Sequence, residues 1–261
     1  MQIKEIINTL EEFAPLALQE EYDNAGVQIQ SVPDEKVSGV LLCLDVTEKV
    51  IDEAVYKHCN LIVSHHPLMF RPQKKITPDD YIGRCILSAI KNGITIYSAH
   101  TNLDNAEGGV NFRMAERLEL NECRFLSPLR KELPGGSGLI GTLSQPMNRD
   151  RFLDFVKDTF KAKSLRYNDS SKTEITTVAL CGGAGAFLLP NAINCGADVF
   201  ITGEVGYHRF FGLENDILLV ELGHYETEQY TIQLIHDILA DKHPGLQIFE
   251  TDCTTNPIMY K

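Results

Sequence analysis

No apolar run in this sequence approaches the ~20 residues that a membrane-spanning helix requires, so no span is expected. Positive charge is also scarce. Lys and Arg number 24 against 36 Asp and Glu, a formal net charge of −12. Affinity for nucleic acid comes largely from neutralising phosphates, so this balance argues against a general nucleic-acid binder while leaving room for a local basic patch. The seven cysteines (Cys43, Cys59, Cys85, Cys123, Cys181, Cys195 and Cys253) contain no C-x-x-C pair, and their number is odd. They read as reduced, mostly buried side chains of a cytoplasmic protein. No charged-then-apolar leader opens the sequence, and no signal peptide is expected.

What is present is an ordinary globular profile: 261 residues, 43% hydrophobic and 23% charged. A chain of this size forms one large domain or two small ones and buries roughly 70–75% of its unfolded surface. Ile3, Ile6, Ile7, Leu10 and Phe13 recur at helical spacing and predict an amphipathic helix ended by Pro15. A βαβ pattern follows: strand Val40–Leu44, a helix face of Val50, Ile51, Ala54 and Val55, and strand Leu61-Ile62-Val63. Asp45 and Thr47 supply capping chemistry between them. A helix is predicted around 81–91 and a strand over Ile94–Tyr97. The turn-rich stretch 127–140 marks a boundary, after which strands at 178–181, 197–201 and 217–220 repeat the first pattern. The predicted fold class is therefore α/β, with two similar lobes built on mixed sheets and facing each other across a cleft, as after an ancient duplication. The first lobe spans 1–127 plus about 229–261, the second 128–228.

Ser64-His65-His66-Pro67 closes the second apolar strand. Adjacent residues of an extended chain point to opposite faces, so the two imidazoles can hold two groups apart or hold two metal ions. The dipeptide alone is also compatible with a structural pair. Other strand ends carry His100 with Asp104, and His224 with Glu228. Ligands of open α/β sheets gather outside such carboxyl ends. His224 and Glu228 share one face if they open a helix, and mixed imidazole and carboxylate donors suit zinc, iron, manganese or nickel. Two ions ~3.5–4 Å apart activate one water. His100 is a candidate for proton transfer or for orienting a ligand. Asp104 has a competing reading as a helix cap, Glu226 competes with Glu228, and the reach of Glu204 is open. Gly182-Gly183-Ala184-Gly185 resembles a phosphate-cradling turn but lacks both the dinucleotide fingerprint and the P-loop lysine, so a tight turn is the stronger reading and no nucleotide cofactor is expected. His208-Arg209 offers an anion contact or a surface loop. His58, His236 and His243 carry no assigned role.

Taken together, several motifs resemble the YbgI or NIF-three-like family, the GTP cyclohydrolase 1 type 2 homologues. They are Asp23-Asn24-Ala25-Gly26-Val27, Ser64-His65-His66-Pro67, His100-Thr101-Asn102-Leu103-Asp104, Cys181-Gly182-Gly183-Ala184-Gly185, Thr202-Gly203-Glu204, Gly223-His224 with Glu228, and Asn256-Pro257-Ile258. The resemblance spans nearly the whole chain. It implies two α/β lobes with a dinuclear metal site between them, two divalent ions per chain, and a ring-shaped homohexamer built as a trimer of dimers. The implied ligands are His65, His66, Asp104, His224 and Glu228, with Glu228 bridging. The first expectation for the chain is a metal-dependent hydrolase in which Glu228 or His100 handles the proton. The short junction near 127–140 implies that the domain many relatives insert there is absent. Tyr22 stands where relatives often have Trp, and Tyr225 where some relatives have a second adjacent His. The family name attaches a GTP cyclohydrolase activity, and metal-hydroxide attack at C8 of the purine fits such a site. Competing expectations are a metal-binding or metal-delivery protein without turnover, and a ring-shaped scaffold or regulatory partner.

Overall fold

In the computed structural model, residues 1–32, 35–129 and 133–261 are described. They divide into two compact units, residues 1–103 with 231–259, and residues 104–230 with 260–261.

The first unit contains helix α1 (Ile3–Phe13) and strands β1 (Gly26–Ile29) and β2 (Val40–Cys43), followed by helix α2 (Glu48–Tyr56) and strand β3 (Leu61–Ser64). Helix α3 (Tyr81–Lys91) and strand β4 (Thr95–Ser98) come next, and α4 (Thr101–Asp104) carries the chain out of the unit. The predicted elements at 3–13, 40–44, 61–63, 81–91 and 94–97 are all present to within a residue or two. The order across the sheet is β1-β4-β3-β2-β11, where β11 is Ile248–Glu250. Strands β2, β3, β4 and β11 run parallel, and β1 is antiparallel on β4. Continuous apolar runs suit strands buried on both faces, and all four residues of β2, β3 and β4 are buried. Leu41, Ile62 and Ile96 from these strands pack with Val50, Ile51 and Ala54 of α2 and Cys85, Ile86 and Ala89 of α3.

The second unit contains α5 (Val110–Arg117), the strands β5 (Asn121–Pro128) and β6 (Gly136–Asn148), and helix α6 (Arg149–Thr159). Strands β7 (Arg166–Tyr167) and β8 (Glu174–Cys181), helix α7 (Leu189–Asn194), strands β9 (Val199–Thr202) and β10 (Leu218–Glu221), and helix α8 (His224–Glu228) follow. Helix α9 (Thr231–Lys242) returns the chain to the first unit. The sheet order is β5-β6-β8-β9-β10-β7. Strands β8, β9 and β10 are parallel, and β7 is antiparallel on β10. Phe152, Val156 and Phe160 pack on one face of this sheet with Val178, Leu180, Val199 and Ile201; Leu188, Leu189 and Ala192 pack on the other with Ala179, Phe200 and Leu219.

Both units thus carry three sequential parallel strands. In each, the third pairs with an antiparallel edge strand that comes earlier in the chain. The units meet in sequence between Leu103 and Asp104, whereas the stretch 127–140 was expected to be the boundary. Residues 130–132 of that stretch lie outside the described residues. The rest belongs to the β5–β6 pair, in which Ser127 faces Ser137 and Pro128 faces Gly136. Strand β5 escaped the sequence pattern because its residues are mostly exposed or half-buried and do not alternate cleanly. No helix among the described residues is long and apolar enough to cross a membrane. The seven cysteines are free.

One carboxylate fastens the chain after β11. Glu53 of α2 pairs with Lys57 Nζ at 2.6 Å, accepts the Asp252 amide at 2.9 Å and accepts the Thr251 hydroxyl. Burial would raise its pKa, but these partners, led by Lys57, hold it down at about 2 against 4.5. A carboxyl depressed in the folded state adds stability above its unfolded pKa and loses it as pH falls toward the folded one. Allowing for solvent around Lys57 and Asp252, Glu53→Gln is expected to cost about 1–2 kcal/mol at pH 7. Urea denaturation should show that difference narrowing as pH falls from about 4.5 toward about 2; a difference independent of pH would contradict the assignment.

Candidate metal centre

The register of the first sheet places the candidate ligands of the first unit. Cys43, Ser64 and Ser98 are ladder partners at the ends of β2, β3 and β4. Two residues past the ends of these three strands stand Asp45, His66 and His100. His66 is therefore flanked by a carboxylate on one side and an imidazole on the other. Its Nδ1 donates to Asp45 Oδ1 at 2.8 Å. His65 Nδ1 donates to the Ala99 carbonyl at 2.8 Å, and His100 Nδ1 to Asp23 Oδ1 at 2.7 Å.

The rings of His65 and His66 lie 4.9 Å apart, and His100 sits 5.2 and 5.4 Å from them. Ligand atoms of the three fall within 4.8 Å of one another, close enough to hold an ion. The expected divergence of the histidine pair is corrected here. Strand β3 ends at Ser64, and the amides of His65 and His66 donate to the carbonyl of Cys43, the last residue of β2, at 3.1 Å and to that of Leu44, just past it, at 2.9 Å. Past the strand end the alternation of faces no longer applies, and the two rings converge.

The anchoring carboxylates remain charged. Burial would raise the pKa of Asp23, but the hydrogen bond and charge of His100, with help from the Thr101 hydroxyl, hold it at about 2. Asp45 is likewise lowered against the effect of burial, chiefly by His66 and then by the Thr255 hydroxyl. Asp45 was expected to serve as capping chemistry; Thr47 alone caps α2, through the Val50 amide at 3.3 Å. The sequence signal for Asp45 lay in the parallel register, which becomes visible only once β2 and β3 are paired.

The second unit repeats the arrangement with other residue types. Cys181, Thr202 and Glu221 end β8, β9 and β10 in register. Two residues on stand Gly183, Glu204 and Gly223, with His224 next. The amides of Gly203 and Glu204 both donate to the Gly183 carbonyl, at 2.9 and 3.0 Å. His224 Nδ1 donates to Glu204 Oε1 at 2.8 Å, which settles the reach of Glu204. His224 and Glu228 are the first and last residues of α8, and their spacing brings His224 Nε2 to 3.0 Å from Glu228 Oε2. With Nδ1 committed as a donor to Glu204, a neutral His224 presents a lone pair at Nε2. A lone pair 3.0 Å from a carboxylate oxygen is favourable only with a proton or a cation shared between them. Glu228 is buried. Glu226, its competitor, lies instead against Gly223.

The Gly182–Gly185 turn is not a phosphate cradle. Its three glycine amides are already engaged: Gly182 with Asn111 Oδ1 at 3.0 Å, Gly183 with Thr227 Oγ1 at 3.1 Å, and Gly185 with Thr202 Oγ1 at 3.0 Å. The turn instead makes room. Gly183 has φ +56°, and a Cβ there would collide with Glu228 Oε1 and lie 3.4 Å from His224 Nε2. Asp104 is the last residue of α4, and its carbonyl accepts from Asn111 Nδ2 at 3.0 Å. Among the described residues, those that belong to groups able to hold a metal ion are His65, His66, His100, Asp104, His224 and Glu228. His243 and His236 lie outside these groups; His243 bonds Thr9 Oγ1 at 2.7 Å, and His236 stands 3.7 Å from Glu250.

These observations define a class: a mixed α/β protein whose parallel-strand ends carry anchored histidines and buried carboxylates able to hold metal. The profile of Duf34/NIF3 (NGG1p interacting factor 3) matches residues 1–257, and the chain belongs to this family, as its motifs implied. It is 36% identical over 230 residues to the GTP cyclohydrolase 1 type 2 homolog of Clostridium acetobutylicum, covering 87% of this chain and 85% of that protein. The protein of the same name from Lactococcus lactis is 31% identical over 261 residues, 98% of each chain. Among solved structures, a Bacillus cereus protein related to NIF3 superimposes with a TM-score of 0.89 at 26% identity, covering 100% of this chain and 99% of that one.

Proposed function

We propose that this protein is a metal-dependent hydrolase acting on a purine nucleotide such as GTP, and that His65, His66, Asp104, His224 and Glu228 are the ligands of two divalent ions. The observation that carries this reading is the uniform anchoring of the histidines. His65, His66, His100 and His224 each commit Nδ1 to an oxygen that can only accept, the Ala99 carbonyl or the carboxylates of Asp45, Asp23 and Glu204. This fixes one tautomer and leaves Nε2 of each ring as the ligating or basic atom, the arrangement by which metal-binding histidines are held.

Bound divalent ions supply Lewis acidity and lower the pKa of a water. The other contributions come from the chain. Charged Asp23 holds the His100 proton on Nδ1 and so turns the Nε2 lone pair outward as the acceptor, which suits His100 to accept a proton from the attacking water or return one to the leaving nitrogen. Glu228, buried in α8, offers a second carboxylate for the same task. The names borne by the Clostridium and Lactococcus relatives support GTP as the first substrate to test. The same reading takes the working form to be a homohexamer in the cytoplasm, where seven free thiols stay reduced.

The test is ring-opened product from GTP after incubation with protein loaded with manganese, zinc, iron or nickel. Turnover well above a His66→Ala control is expected. Tight metal binding with no turnover above that control would contradict the hydrolase and favour a metal-delivery protein.

A further inference from the structure

The loop that follows β9 carries more than Glu204. Three residues on, it makes a single 3₁₀ turn, Tyr207–Phe210. Tyr207 and Phe211 are 67% and 62% exposed. Their rings lie 5.4 Å apart, and His208 packs on both, 5.2 Å from Tyr207 and stacked 6.3 Å from Phe211 at 28°. The turn is held from below. Arg166 donates to the Val205 carbonyl at 3.2 Å, lies 5.6 Å over the Phe210 ring and pairs with Glu221 at the end of β10. On its other side Arg209 reaches the Ala186 carbonyl at 3.4 Å, beyond the Gly182–Gly185 turn.

Contiguous aromatic surface held rigidly in water marks a place where something binds. Three features say what. The ledge stands on the loop after the middle one of three parallel strands, at the edge where such sheets bind ligands. Glu204 of that loop orients His224, so the ledge and the metal-binding half of this unit share one segment. The ledge also carries an arginine and an imidazole in a chain of net charge −12, a local match for an anion.

We propose that Tyr207, His208 and Phe211 form a stacking platform for the planar heterocycle of a nucleotide, with Arg209 facing its phosphates. The choice of a nucleotide rests on the proposed function; the stacking itself is measurable without turnover. Aromatic stacking is tolerant of the base because every base has a π-face, and arginine adds a charge contact to phosphate.

The experiment is calorimetric titration of the full-length, manganese-loaded protein with GTP and with inorganic triphosphate as the probe lacking a base. Metal content and solution mass are measured on every sample. Tyr207→Ala/Phe211→Ala is expected to weaken GTP binding at least about tenfold while leaving triphosphate affinity, metal content and mass unchanged. Tyr207→Phe should bind GTP as the parent does, and Arg209→Ala should weaken GTP and triphosphate alike. Equal GTP affinity in parent and double variant would overturn the proposal, as would no GTP affinity in a metal-replete parent. A change of mass in the double variant would also overturn it, by assigning the rings to contact between copies. Loss of GTP binding in the double variant of a protein that holds no metal would uphold the ledge and remove the metal reading instead.

Discussion

A methyl group at Gly183 is expected to dislodge the Glu228 carboxylate. The Cβ would meet Glu228 Oε1 head-on, with Glu228 Cδ at 3.2 Å and His224 Nε2 at 3.4 Å. Glu228 is buried in α8 and has little room to withdraw. The left-handed φ of +56° adds roughly 1–2 kcal/mol of backbone strain for any residue with a side chain. Gly183→Ala should therefore destabilise the metal-free protein by about 2–4 kcal/mol, strain and collision together, and weaken metal binding at least tenfold. A double-mutant cycle separates the two causes. In a Glu228→Ala background the collision is gone, so the same substitution should cost the strain alone, leaving a coupling of about 1–2 kcal/mol. Urea denaturation of the four proteins measures it. Strict additivity would show that Gly183 serves only its own turn.

The second large effect is expected at the anchors of the imidazoles. Asp45 holds His66 at 2.8 Å and is held in turn by Thr255 Oγ1 at 2.8 Å. Asp45→Ala should lower metal affinity about 10–100-fold. Asp45→Asn, which keeps an accepting oxygen but loses the charge, should fall between that and the parent. Glu204 anchors His224 from a more exposed position, its side chain 60% accessible, so Glu204→Gln should cost less than Asp45→Asn. Glu53→Gln, in a carboxylate cluster that includes none of these histidines, should leave metal affinity unchanged. Competition with a chromophoric chelator resolves these steps. Equal affinity for parent and Asp45→Ala would mean that His66 is not a ligand.

Much of this was legible in the sequence, and the reasons are local. Buried parallel strands write themselves as apolar runs, so Val40–Leu44 and Leu61–Val63 marked both strands, with their ends to within one residue. His65-His66, His100 and His224 stood out because they follow such runs directly. Glu228 was legible because four residues of helix bring it back to His224. The partners were harder to see. Asp45 looked like a helix cap and Asp23 like part of a polar turn, because nothing in a single strand says which neighbour will lie beside it. Once β2, β3 and β4 are aligned, the count from Cys43, Ser64 and Ser98 places Asp45, His66 and His100 in one row. The same count in the second unit places Gly183 and Glu204 beside each other. Strand β5 was missed for a different reason: its exposed, irregular sequence resembles a loop and becomes a strand only through its pairing with β6.

The central claim is that these residues hold metal, and the most direct measurement is the metal content of protein purified without added metal, compared with His65→Ala/Asp104→Ala. The account predicts close to two ions per chain in the parent and their loss in a variant that still folds. A well-folded parent that contains no metal and cannot be loaded with zinc, iron, manganese or nickel would contradict it.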